Sequence, residues 1–107
     1  MALHSMTFSF SGEKKYKINR DWSHTGVVGS GDMEVLFKPL SQGDGNINVS
    51  IVTPVRGFDD IWQKVLERFI KETNIGNVDI SINDNNSTPF VVATRLKQAL
   101  IELEEGA

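Results

Sequence analysis

Three stretches of this chain alternate apolar and polar residues with a period of two. Met33, Val35 and Phe37 alternate with Glu34 and Lys38. Ile47, Val49 and Ile51 alternate with Asn48 and Ser50, and Val78, Ile80 and Ile82 with Asp79, Ser81 and Asn83. Successive side chains on a strand point to opposite faces, so each stretch has one face that water disfavours. Two further segments repeat at helical spacing. Ile61, Trp62, Val65, Leu66, Phe69 and Ile70 form one stripe, and Val92, Leu96, Ala99, Leu100 and Leu103 form another. The order is strand, strand, helix, strand, helix. One sheet with both helices on the same face buries every stripe at once. The expected fold is therefore α+β, a two-layer sandwich with a mainly antiparallel sheet.

Finer expectations follow from turn and cap chemistry. Phe8 and Phe10 alternate, as do Tyr16 and Ile18, so a hairpin is expected ahead of the core strands. Asn19–Thr25 reads as a loop, with Trp22 capping the core edge. Pro39 ends one strand, Gly43-Asp44-Gly45 turns the chain, and the short connection favours an antiparallel pair of the strands it joins. Asp59 or Asp60 can cap the first helix, and Gly76 is its expected left-handed stop. Asp60–Lys64, Glu67–Lys71 and Arg68–Glu72 are opposite charges four apart. Ser87 or Thr88 caps the second helix, with Pro89 in its first turn. A third strand parallel to its predecessor would be reached by a right-handed crossover. Glu102, Glu104 and Glu105 end the chain's last helix, where negative charge is disfavoured. They read as a frayed, solvated tail or as a surface kept for a basic partner.

Composition sets the outer limits. The chain has 107 residues, of which 39% are hydrophobic and 23% charged, which suits one domain over residues 1–107. Met1–Ser5 reads as an addition ahead of a natural start at Met6, or as disordered. Without cysteine there is no disulfide, thiolate metal site or cysteine nucleophile, and a reducing compartment is the simplest setting. A net charge of −3 is a poor match for nucleic-acid phosphates. No segment is long and apolar enough for a membrane span, and no basic-then-apolar leader is visible. A cytoplasmic protein with no nucleic-acid or membrane partner is expected.

The chemistry concentrates at Val27-Val28-Gly29-Ser30-Gly31-Asp32. Glycine lacks Cβ and accepts positive φ, so Gly29 and Gly31 can hold the Ser30 hydroxyl on an uncrowded turn. The same residues also make an ordinary polar turn. Gly26-x-x-Gly29-x-Gly31 loosely matches a phosphate-binding loop, but a strand follows it where a helix would be needed. His24 could serve Ser30 as a base, yet no orienting acid is apparent. Asp84-Asn85-Asn86-Ser87 begins like a calcium loop, but Pro89 and Arg95 stand where that loop needs glycine and glutamate. No catalytic residue and no metal ligand is assigned. One presented serine with little to activate it suits a protein that other enzymes act upon. Two alternatives stay open: a serine-nucleophile hydrolase using Ser30 and His24, and a non-catalytic adaptor.

The stretch from Val27 to Leu36 resembles the prosthetic-group site of the malonate decarboxylase acyl carrier protein family, the delta subunit, with the citrate lyase acyl carrier more distant. Thr53-Pro54-Val55, Trp62-Gln63, Leu66-Glu67-Arg68, Thr88-Pro89 and Arg95 agree in order and spacing. The resemblance runs from about Gly26 to the C-terminus. The Asp84–Ser87 loop departs from it, and the residues up to Ser23 lie outside it. The resemblance implies that Ser30 carries a 2'-(5''-phosphoribosyl)-3'-dephospho-CoA arm, with Gly29, Gly31 and Asp32 shaping the site. It implies partners too: acyl-transferase and decarboxylase subunits of malonate decarboxylase, and a transferase that installs the arm.

Overall fold

A computed structural model of the chain describes residues 3–12, 23–26, 29, 31–40 and 45–105. Five strands and two helices follow in the order β1 (His4–Ser11), β2 (Ser23–Gly26), β3 (Asp32–Pro39), β4 (Asn46–Thr53), α1 (Asp59–Thr73), β5 (Val78–Asn85) and α2 (Pro89–Glu105). They form one sheet in the order β1-β4-β5-β3-β2. All neighbours are antiparallel except β4 and β5, which run parallel. The α+β sandwich expected from the alternation is the fold observed. Among the described residues no helix is long and apolar enough to cross a membrane.

The register explains why one face is greasy. Ile47 lies opposite Val78, Val49 opposite Ile80 and Ile51 opposite Ile82, while Val35 and Phe37 face Ile82 and Ile80 from the other side. These side chains are buried, together with Trp62, Leu66 and Phe69 of α1 and Val92, Leu96, Ala99, Leu100 and Leu103 of α2. Phe37 and Phe69 meet edge to face across the two layers, with centroids 6.0 Å apart. The opposite sheet face carries Asn48, Ser50, Asp79, Ser81 and Asn83, as the alternation requires.

Several local expectations are corrected. β3 and β4 are antiparallel in direction but are not neighbours, because β5 lies between them. Asn77, just before β5, holds both ends of the connection. Its carbonyl accepts from Leu40 N–H at 2.7 Å and its side chain from Gly45 N–H at 2.8 Å. The connection between β3 and β4 is thus pinned across the start of β5. Residues Ser23–Gly26 are strand β2, not loop, and pair with β3 from Ser23–Phe37 to Gly26–Glu34. The described partner of β1 is β4. Tyr16 and Ile18 of the expected hairpin, Trp22, and Gly43-Asp44 of the expected turn lie outside the described residues. β1 already includes His4 and Ser5, paired with Thr53 and Val52.

Helix ends differ as well. Phe58 is the N-cap of α1 and makes no side-chain cap bond, leaving Asp59 and Asp60 inside the first turn. Asn74, at φ 55°, provides the left-handed stop assigned to Gly76. Asparagine tolerates this conformation better than other side chains do. Of the three charge pairs, Arg68–Glu72 forms at 2.9 Å, whereas Glu67 accepts from Gln63 at 3.0 Å. Thr88 caps α2, its hydroxyl accepting from Val91 N–H at 3.3 Å, with Pro89 as first helical residue.

Leu66 sits at 0% exposure between α1 and the sheet. Truncation to alanine removes buried methyl groups and leaves a cavity, so Leu66→Ala is expected to cost about 2–5 kcal/mol. Urea unfolding monitored by circular dichroism measures this.

Candidate functional site

β2 and β3 form a hairpin whose connection, residues 27–31, contains the glycine-flanked serine. Ser30 itself lies outside the described residues, as do Val27 and Val28. The flanks of the serine are defined. Asp32 N–H donates to the Gly29 carbonyl at 3.0 Å, closing a four-residue turn. Gly31 N–H donates to the Asn85 carbonyl at 2.8 Å, which ties that turn to the end of β5. Gly31 has φ +76°, and a Cβ built there would meet nothing within 4 Å. Gly26, at the other end of the connection, has φ +89°, and a Cβ there would lie 2.1 Å from the Met33 carbonyl oxygen.

Asp32 anchors the turn to α2. Arg95 Nε donates to Oδ1 at 2.9 Å and Nη2 to Oδ2 at 2.6 Å, a two-pronged match of guanidinium and carboxylate. Asp32 Oδ1 also accepts from Met33 N–H at 2.7 Å. The Arg95 hydrogen bonds, and then the Met33 amide, hold the Asp32 carboxyl below its ordinary range, and Asp32 in turn raises Arg95. Arg95 Nη1 donates to Gln98 at 2.9 Å. A second tie runs from Thr25 Oγ1 to Glu102 Oε2 at 2.8 Å. Glu102 is therefore a structural contact to the hairpin, which corrects its reading as frayed tail.

His24 is exposed on the outer sheet face, 2.9 Å from Glu34 Oε2. Asn83 Nδ2 donates to Glu34 Oε1 at 2.7 Å. His24 and then Asn83 hold the Glu34 carboxyl below its usual value. An acid partner for His24 thus exists, and spacing could not reveal it because it depends on which strands pair. Among the described residues no cluster of three or more His, Asp or Glu side chains could hold a metal.

The Asp84–Ser87 loop, where the sequence departs from the family resemblance, is held by its aspartate. Asp84 is buried, and its oxygens accept from Thr53 Oγ1 at 2.8 Å, Asn86 N–H at 3.2 Å and Ser87 N–H at 3.0 Å, as well as from the Ser87 hydroxyl. Asn86 turns the chain at φ 66°. The carboxylate thereby fixes the turn from β5 into α2, next to Asn85 and its bond to Gly31. The signal was present: Asp84 continues the phase of Val78, Ile80 and Ile82 and so falls on the buried face.

Fold and site together define a small display domain, with a packed sandwich beneath and one clamped glycine turn at its edge. The family model "Malonate decarboxylase delta subunit (MdcD)" matches residues 20–103. The chain is 50% identical over 104 residues to a malonate decarboxylase acyl carrier protein of Malonomonas rubra, covering 97% of this chain and 92% of that one. It is 40% identical over 105 residues to one from Xanthomonas campestris pv. campestris, covering 98% of each. Among solved structures, a chain from the crystal structure of a Pseudomonas malonate decarboxylase hetero-tetramer in complex with malonate superposes with a TM-score of 0.81 at 32% identity, over 94% of this chain and 98% of that one. The chain belongs to the malonate decarboxylase acyl carrier protein family. It is a carrier and not a catalytic subunit, which removes the Ser30/His24 hydrolase alternative. The likeness also reaches into the N-terminal residues that the motif resemblance did not cover.

The lowered Asp32 pKa has a pH signature. The ion pair supports the fold fully above about pH 4, the ordinary carboxylate value, and that support is lost as pH falls through the lowered folded value. Arg95→Gln is expected to melt below wild type at pH 7, with the gap closing as pH falls below the ordinary carboxylate value and the carboxyl protonates. Thermal melts across that range test this, and a gap that does not change with pH contradicts it.

Proposed function

We propose that Ser30 carries a phosphoribosyl-dephospho-coenzyme-A arm through a phosphodiester, and that the arm's thiol holds acetyl and malonyl groups as thioesters. In this reading partner acyl-transferase and decarboxylase subunits exchange acetyl for malonyl and then release carbon dioxide, so that malonate becomes acetate. The observation that carries the proposal is the Gly31 environment: open space around a backbone held by Gly29, Asn85 and the Asp32–Arg95 pair. Room for a Cβ at Gly31, with nothing within 4 Å, supports an attachment point at the neighbouring serine. Gly29 and Gly31 leave room for the modifying transferase, and Asp32 orients the turn. The arm would supply the thiol that a chain without cysteine lacks.

Support for the partners comes from the relatives, which are acyl carrier proteins of malonate decarboxylase, and from the Pseudomonas hetero-tetramer. We place the whole chain in one acyl-carrier domain and the protein in the cytoplasm, with neither nucleic acid nor membrane as partner. Intact mass of carrier made together with its transferase is expected to show one large adduct, mapped to the Ser30 peptide. Ser30→Ala is expected to lose the adduct while changing stability by no more than about 0.5 kcal/mol, as for an ordinary surface substitution. An adduct that survives in Ser30→Ala overturns the assignment.

A further inference from the structure

An apolar cleft lies between the first turns of α1 and α2. Val55, Phe58, Ile61, Trp62 and Val92 line it, and Asp84, Asn86 and Ser87 close one side. Phe58 is 47% exposed and Ile61 43%, large apolar side chains left facing water at its mouth. The cleft adjoins the serine turn through the backbone. Gly31 is hydrogen-bonded to Asn85, and the next two residues, Asn86 and Ser87, are already in the cleft wall.

We propose that this cleft holds the acyl-thioester end of the arm in its acetyl form and rejects the malonyl form. The inference rests on the reading of Ser30 as the attachment point. A methyl and a thioester sulfur suit apolar walls. A malonyl group would bring a carboxylate toward Asp84, whose carboxylate already takes up the hydroxyl and amide donors of Thr53, Asn86 and Ser87. A second anion there meets like charge and donors already committed, which makes its burial unfavourable. Arg56 is exposed on the same loop but is not part of the cleft wall. Tethering gives the arm an effective concentration on the order of millimolar, so a weak site is occupied. The acetyl thioester is thereby shielded between turnovers, and the malonyl thioester stays out for the subunit that removes carbon dioxide.

Hydroxylamine tests this. Its nitrogen attacks the thioester carbonyl, the carbon–sulfur bond breaks, and the arm's thiol leaves as the hydroxamate forms. Carrier bearing the arm is loaded with acetyl or malonyl, and cleavage is followed in wild type, Ile61→Asp and Phe58→Asp, each checked for its fold by circular dichroism. The expected result is acetyl cleavage about three-fold faster in both variants, with malonyl cleavage unchanged. Equal acetyl rates in all three proteins overturn the cleft assignment while leaving the arm in place. Absence of any adduct on Ser30 overturns the attachment reading itself, and the cleft assignment with it. Unchanged rates together with lost co-purification with the other decarboxylase subunits make the cleft a partner's seat and overturn the proposal. Unchanged rates with a dimer that the variants abolish assign the cleft to a second copy and overturn it equally.

Discussion

The bidentate pair between Asp32 and Arg95 is the interaction on which the site depends. It is only partly shielded, with side-chain exposures of 21% and 29%, so its worth lies more in geometry than in energy. A guanidinium fork accepts few orientations of a carboxylate. Arg95 can offer that fork only because its neighbour Leu96 is buried at 0% and sets the rotation of α2 on the sheet. Seven residues on, Glu102 reaches Thr25 from the same side of the helix. Core packing of α2 therefore determines where the hairpin of β2 and β3 can sit, and the hairpin carries the serine.

The second constraint is the central place of β5. Its parallel pairing with β4 and antiparallel pairing with β3 bring the ends of β4 and β5 and the start of β3 to one end of the molecule. Met33 pairs with Asp84 there, and Asp84 bonds Thr53. The first turns of α1 and α2 meet over the same end, along the cleft. Serine turn, buried carboxylate and cleft are thus neighbours by topology, although 55 residues of sequence separate Gly29 from Asp84. A buried carboxylate would weaken the sandwich if left unpaired. With four donors on its oxygens it instead fixes the chain's path into α2, and Asn85, next to it, is the residue that holds Gly31.

What the sequence makes legible is what a single element decides alone. Alternation around Val35, Val49 and Ile80 identifies the central strands and their buried faces, and the stripes around Leu66 and Leu96 identify the helices. Strand neighbours depend on contacts between distant segments, so the insertion of β5 between β3 and β4 could not be read from a short connection. β2 escapes because its four residues, Ser-His-Thr-Gly, contain no large apolar side chain and borrow their structure from β3. Asn74 displaces Gly76 because asparagine also accepts the left-handed conformation, and at φ 55° its N–H still closes on the Ile70 carbonyl. Thr53 and Asp84 were legible in principle, since both fall in phase with the apolar positions of their strands. A polar residue on a buried face calls for a partner, and each supplies the other's.

The two glycines at the ends of the hairpin connection show how support and access are reconciled over a few residues. At Gly26 a methyl group would strike the Met33 carbonyl at 2.1 Å, so glycine is required there for the strands to approach each other. At Gly31 the same methyl would stand in open space, and the requirement is the backbone alone, at φ +76°. The first glycine lets the base of the hairpin close. The second lets the chain enter β3 at a positive φ. The two glycines thus serve opposite needs within one hairpin, the first for the close strand approach it permits and the second for the backbone angle it adopts.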